Sequence, residues 1–273
     1  MTGRLRIATF LAPNIRPVYQ GVVDTIGREL GIETELIDGT AFSQFTAGEI
    51  GAGFICGLPY VEMVRTDPAL LDPIAAPVLA GSRYGGRPVY FSDVIVRADS
   101  DIASFDDLRG RSWAYNDPDS HSGYNLTRFH LVQLRETTGF FGRVVEAGFH
   151  QRAIRMVAAG EIDGAAIDSQ VLAVELRNDP MLASAVRVIA TLGPSTIQPL
   201  VAHQRLPETL RAGIRATVLA MHEYERGRAV LERGLVERFV PVSDGDYDDI
   251  RRMLAAVEQA GDWPWSSQPV RRQ

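Results

Sequence analysis

Lysine is absent from this chain; all 28 basic residues are arginine. That excludes a lysine Schiff base with pyridoxal phosphate, and it excludes a phosphate loop that ends in Gly-Lys-Ser/Thr. Cysteine occurs once, as Cys56, so neither an intramolecular disulfide nor a cysteine-rich metal site can form. Its place in the apolar run "AGFICGLPY" reads as a buried, inert thiol. No apolar run approaches the roughly 20 residues of a membrane-spanning helix. The five histidines show no His-x-x-Glu-His or similar spacing, so no metal site is expected. Gly-rich dinucleotide fingerprints are also missing, and no cofactor is expected. A net charge of −6 and a pI near 5.4 argue against nucleic acid as a partner. They leave room for a small anion, which responds to the local field of its pocket. The N-terminal "MTGRLRIATFLAPNIRP" has a basic start but no long apolar stretch ahead of a cleavage site. As written, the chain is expected to be cytoplasmic; an upstream leader would make it periplasmic.

What is present is an alternation of strand-like and helix-like segments over 273 residues, the pattern of an α/β protein built on parallel sheets. Strands are expected at 4–12, 32–38, 51–56, 71–79, 87–98, 111–115, 143–148 and 163–168, with two more runs within 185–203. Helices are expected at 16–31, 122–137, 149–160 and 169–178. The stretch 207–261, which includes "GRAVLERGLVERF", reads as helices throughout. The tail "DWPWSSQPVRRQ" reads as lying over the surface or partly disordered. Long connecting runs near 90–98 and 189–200 suggest a chain that enters a second α/β unit once and leaves it once. The expected lobes are 1–94 plus 195–273, and 95–194, with a two-strand hinge and a ligand cleft between them.

The segment "DPDSHSGYNL" (117–126) lies between a strand and a helix. A helix N-terminus offers unsatisfied N–H groups and the positive end of the helix dipole. Ser120 and Ser122 add hydroxyl donors and Gly123 lets an anion come close, so Ser120-His121-Ser122-Gly123 can hold an anion without formal positive charge. Either serine could instead be a simple N-cap. A nucleophile elbow needs Gly-x-Ser-x-Gly, which this segment does not have. His150 follows another strand, and Asp168 ends a third with Ser169 behind it. Carboxyl ends of parallel strands share one edge, so 116–123, 148–150 and 168–169 should converge. In the first lobe, Tyr60 and Tyr84 offer phenolic donors beside glycines.

These residues resemble the phosphate/phosphite/phosphonate-binding proteins of ABC importers, solute receptors with a type II periplasmic-binding-protein fold. The likeness covers about 4–240 and is concentrated in "YFSDVIVRADSDIASFDDLRGRSWAYNDPDSHSGY", "AAGEIDGAAIDS" and "GPSTIQP". The resemblance implies a two-lobed fold, each lobe a mainly parallel sheet flanked by helices. It also implies that Ser120, His121, Ser122 and Gly123 grip an oxyanion, that Tyr60 and Tyr84 reach it from the other lobe, and that His150 and Asp168 line the pocket. The partners implied are a small phosphorus oxyanion and a transporter permease, with no catalysis. A carboxylate such as Asp168, if desolvated and unpaired, would reject fully ionised sulfate. Two other readings stay open on the same fold: a dehydratase-like lyase with His150 or Asp168 as base, and an intracellular ligand sensor.

Overall fold

The computed structural model describes residues 4–136 and 139–261, so the tail at 262–273 lies outside the described residues. The first elements are β1 (Leu5–Thr9), α1 (Arg16–Leu30), β2 (Thr34–Asp38), α2 (Ser43–Thr46), β3 (Ala52–Phe54), α3 (Gly57–Thr66) and β4 (Leu71–Leu79). Then come β5 (Val89–Arg97), β6 (Ser112–Tyr115), α4 (Leu126–Gln133), β7 (Arg143–Glu146), α5 (His150–Ala158), β8 (Gly164–Asp168), α6 (Ser169–Asn178) and α7 (Pro180–Ala185). The chain closes with β9 (Val186–Thr196), β10 (Leu200–His203), α8 (Glu208–Ala220), α9 (Glu225–Glu232), β11 (Val236–Pro241) and α10 (Asp248–Gln259).

Two compact units result. The first runs to Val89 and resumes over Thr196–Asp248; the second is Tyr90–Ser195 together with the segment from Asp249. The chain therefore passes between units three times, and α10 belongs almost wholly to the second, where the sequence reading puts it in the first. The tie is visible at Asp249, whose Oδ2 accepts the Ser195 hydroxyl at 2.9 Å.

In the first unit the sheet order is β11-β4-β10-β3-β1-β2. β1 pairs in parallel with β2 and β3, while β10 runs antiparallel to both β3 and β4. Helix α1 turns Val18, Val22, Val23 and Ile26 inward and stops at Gly31, which is left-handed at φ 63°, the backbone state glycine adopts without steric cost. Cys56, expected in the core, is only partly buried, at the N-cap of α3.

β11 replaces part of an expected helix. α9 ends at Glu232, Leu235 takes φ 55°, and Val236–Pro241 then pairs antiparallel with β4 as an edge strand. A register shift between Val236 and Arg238 spaces the buried Val236 and Phe239 three apart, which in sequence imitates a helix face.

The second unit's sheet has the order β7-β6-β8-β5-β9. β6 is parallel to β7 and β8, and β5 runs antiparallel to β8. Its core is aromatic: Trp113 stacks on Phe141 at 4.6 Å between ring centroids, and Phe105 stacks on Phe140 at 5.3 Å. That packing fixes the strands whose carboxyl ends carry Asn116, Ala147 and Asp168.

Candidate functional site

Past the end of β6 the backbone is extended at Ser120 (φ −81°, ψ 125°), and the Ser120 Oγ accepts the Gly123 N–H at 3.1 Å. Ser120 is thus the N-cap that one reading of the sequence anticipates. The turn it opens, His121–Asn125, is wider than an α-turn. The Asn125 N–H donates to the Ser120 carbonyl and the Leu126 N–H to the His121 carbonyl, both five residues back. Such π turns recur at functional sites. α4 continues directly from this one.

Gly123 is demanded by space. A Cβ there would overlap Asn116 Oδ1 and lie 3.2 Å from His150 Cε1. The close approach that glycine permits is therefore already used by the Asn116 amide and the His150 ring, where the sequence reading reserved it for an anion.

Ser122 is the hub. Its Oγ lies 3.0 Å from His150 Nε2 and 3.4 Å from Ser120 Oγ, and its carbonyl accepts the Ser92 hydroxyl at 2.8 Å. Ser92 stands opposite Asp168 in the β5–β8 register. The expected convergence of 116–123, 150 and 168 on one sheet edge is therefore what the fold of this unit produces.

His150, the first residue of α5, is buried, and burial pushes its pKa down to about 3. It is neutral at pH 7, and its Nδ1 makes no hydrogen bond among the described residues. The pairing with Ser122 does not make a nucleophile and its base. A ring with so low a pKa is a weak proton acceptor near neutrality, and among the described residues no carboxylate orients its far nitrogen as an acyl-transfer triad requires.

Asp168 is also buried, but it is not unpaired. Its Oδ1 accepts the N–H groups of Gln170 and Val171 at 2.8 and 3.2 Å, capping α6. Two donors and a helix N-terminus already stabilise this charge, so the argument that it rejects sulfate loses most of its force.

His121, expected among the ligand residues, turns its side chain inward. Its ring is completely buried, with Nδ1 3.1 Å from Asn125 Nδ2 and Nε2 2.9 Å from Ser195 Oγ. Burial lowers its pKa to about 4, against a partial opposing pull from Asp249. With both nitrogens engaged, only its backbone is available to a ligand.

Tyr60 and Tyr84 belong to the first unit. Tyr60 is in the first turn of α3, fully buried, with its OH donating to Asp244 Oδ1 at 2.7 Å and its ring edge-on to Tyr247 at 4.9 Å. Tyr84 closes a 3-10 turn between Gly81 and Gly85, with the Arg83 guanidinium 5.6 Å from its ring centre. Sequence reasoning passed over Ser92, Asn116, Ser195 and Asp249. Asn116 lies inside the 116–123 stretch, and Ser92 and Ser195 lie inside the motifs that carry the resemblance, whereas nothing local marks Asp249.

Among the described residues no group of His, Cys, Asp and Glu is placed to hold a metal ion, and no helix is long and apolar enough to cross a membrane.

A family model described as "ABC transporter, phosphonate, periplasmic substrate-binding protein" matches residues 7–247. Among solved structures, a binding protein component of an ABC phosphonate transporter from Pseudomonas aeruginosa superposes with a TM-score of 0.83 at 17% identity, covering 95% of this chain and 88% of its own. A Prochlorococcus marinus protein in complex with methylphosphonate gives 0.83 at 16%, covering 95% and 100%. A Xanthomonas citri protein bound to ATP gives 0.69 at 18%, covering 97% and 99%. These structures establish the fold, that of type II periplasmic binding proteins.

Proposed function

Because the chain belongs to the phosphonate-binding family of periplasmic ABC-transporter substrate-binding proteins, we propose that it captures a small phosphorus oxyanion and presents it to a transporter permease. The ligand class is phosphate, phosphite, or an alkyl- or aminoalkylphosphonate. Members of this family bind their ligand without transforming it. The family's description as periplasmic is the ground for placing the working protein outside the cytoplasmic membrane, which fractionation of the native host would check.

One observation carries the ligand class. The turn Ser120–Gly123 collects hydroxyl and backbone donors at the start of a helix, beside a buried neutral His150 whose Nδ1 has no hydrogen-bond partner among the described residues. A buried polar atom left unpaired costs about 1–3 kcal/mol, and a compact, multiply hydrogen-bonding anion relieves it. In this reading the Ser120 hydroxyl, the backbone of the 120–123 turn and the His150 Nδ1–H hold the oxyanion, Ser122 fixes that ring tautomer by donating to Nε2, and Asp168 lines the pocket. His121 takes part through its backbone alone. His150 is a neutral, weakly basic ring and the Asp168 carboxylate is committed to capping α6, so neither serves the lyase alternative as its base.

The test is a thermal-shift and calorimetric screen against phosphate, phosphite, methylphosphonate, 2-aminoethylphosphonate and sulfate, with Ser122→Ala alongside. A ligand at 100 times its Kd stabilises the folded state by about 2.7 kcal/mol. A shift with at least one phosphorus oxyanion, lost in Ser122→Ala, is expected. No response to any of the four phosphorus compounds would overturn the proposal.

A further inference from the structure

His121 stands between the two serines of the anion turn, yet its side chain leaves them and enters the interior. There it joins a chain of hydrogen bonds whose donor and acceptor senses agree at every link. Asn125 Nδ2–H donates to His121 Nδ1 at 3.1 Å. The ring proton then sits on Nε2 and donates to Ser195 Oγ at 2.9 Å. The Ser195 hydroxyl donates in turn to Asp249 Oδ2 at 2.9 Å. Only one neutral tautomer satisfies all three bonds.

The links join distant parts of the second unit. Asn125 is four residues along the same turn, Ser195 is 74 residues away at the end of β9, and Asp249 is a further 54 along, at the start of α10. The turn itself needs such support, because its bonds run five residues back. We infer that His121 is a positioning residue which, through Ser195 and Asp249, fastens the anion turn to β9 and α10, making the C-terminal helix part of the binding machinery. This rests on the reading of Ser120–Gly123 as the oxyanion turn. Asp249 also lies beyond residue 247, where the family match ends, so the fastening extends past the region by which the family is recognised.

The test uses the full chain with Ser195→Ala, Asp249→Ala, His121→Ala and His121→Gln. Val144→Ala, in the aromatic core of the same unit, serves as a control for general destabilisation. Amide hydrogen exchange at residues 122–124 is read without ligand, and the Kd for methylphosphonate and for phosphate is measured well below the unfolding temperature. Ser195→Ala and Asp249→Ala should speed exchange at 122–124 at least tenfold and weaken Kd at least tenfold, while Val144→Ala does neither. Glutamine can still donate to Ser195, so His121→Gln should recover most of what His121→Ala loses. If His121→Ala does not fold, Ser195→Ala, which deletes a single oxygen, decides the matter.

Unchanged exchange in both Ser195→Ala and Asp249→Ala overturns the inference. So does faster exchange with an unchanged Kd, which would make the chain of bonds a matter of stability only. A wild-type chain that binds no phosphorus oxyanion refutes the ligand reading instead, and the ligand-free exchange data then judge the fastening by themselves.

Discussion

At the scale of single residues, the question raised by a serine beside a histidine is answered by a different histidine. Ser122 pairs with His150, 28 residues away, rather than with its neighbour His121. A hydrogen bond to a charged group contributes about 1.5–3 kcal/mol, so Ser122→Ala and His150→Ala should each weaken oxyanion binding by roughly ten- to a hundredfold in calorimetry. Gly123→Ala should be worse, because its methyl must displace Asn116 or His150; a folded Gly123→Ala protein with native affinity would contradict that geometry. The two buried histidines also set a pH dependence. Both have folded-state pKa values below the usual 6.5, about 4 for His121 and about 3 for His150. Below pH 6.5 the unfolded chain therefore binds protons that the folded chain refuses. Stability is fully present above that pH and declines as pH falls toward 4, by about 2 kcal/mol for each histidine between pH 7.5 and pH 5. Denaturant midpoints at the two pH values should converge in His121→Gln and His150→Gln relative to wild type.

At the scale of elements, most of the alternation was readable because it rests on local patterns. α1 ends at its glycine, and β4 and α6 occupy 71–79 and 169–178, as the hydrophobic periodicity indicates. The convergence of Ser122, His150 and Asp168 was also readable, since strand direction alone brings carboxyl ends together. What resisted was tertiary. β11 looked helical because its bulge spaces Val236 and Phe239 three apart, and only pairing with β4 makes it a strand. The distant part of the His121 chain could not be found by any local rule, because β9 supplies Ser195 and the start of α10 supplies Asp249 behind it. The strand assignment has its own check. Phe239→Ala should cost about 3–5 kcal/mol as a buried aromatic, whereas the exposed Glu237→Ala should stay within about 0.5 kcal/mol. Equal losses in urea titrations would count against the edge strand.

At the scale of the molecule, three passages of the chain between the units mean that the second unit is completed only by the last described helix. A chain ending at residue 247 should keep the first unit's elements but lose the Asp249 anchor, and its ligand response should fall along with that of Asp249→Ala. The cradle at Ser120–Gly123 bears on where such a receptor can operate. In the proposed site the donors are uncharged, a hydroxyl, backbone amides and a neutral ring, whereas attraction by fixed cations fades as ionic strength rises and the Debye length shrinks from about 10 Å at 0.1 M to about 3 Å at 1 M. Short hydrogen bonds inside a desolvated pocket do not fade in this way. The chain's net charge of −6 repels an approaching anion, and dissolved salt weakens that repulsion. Capture should therefore hold steady or tighten slightly from fresh water to brine, so the same scavenger would serve a cell in a river and in the sea.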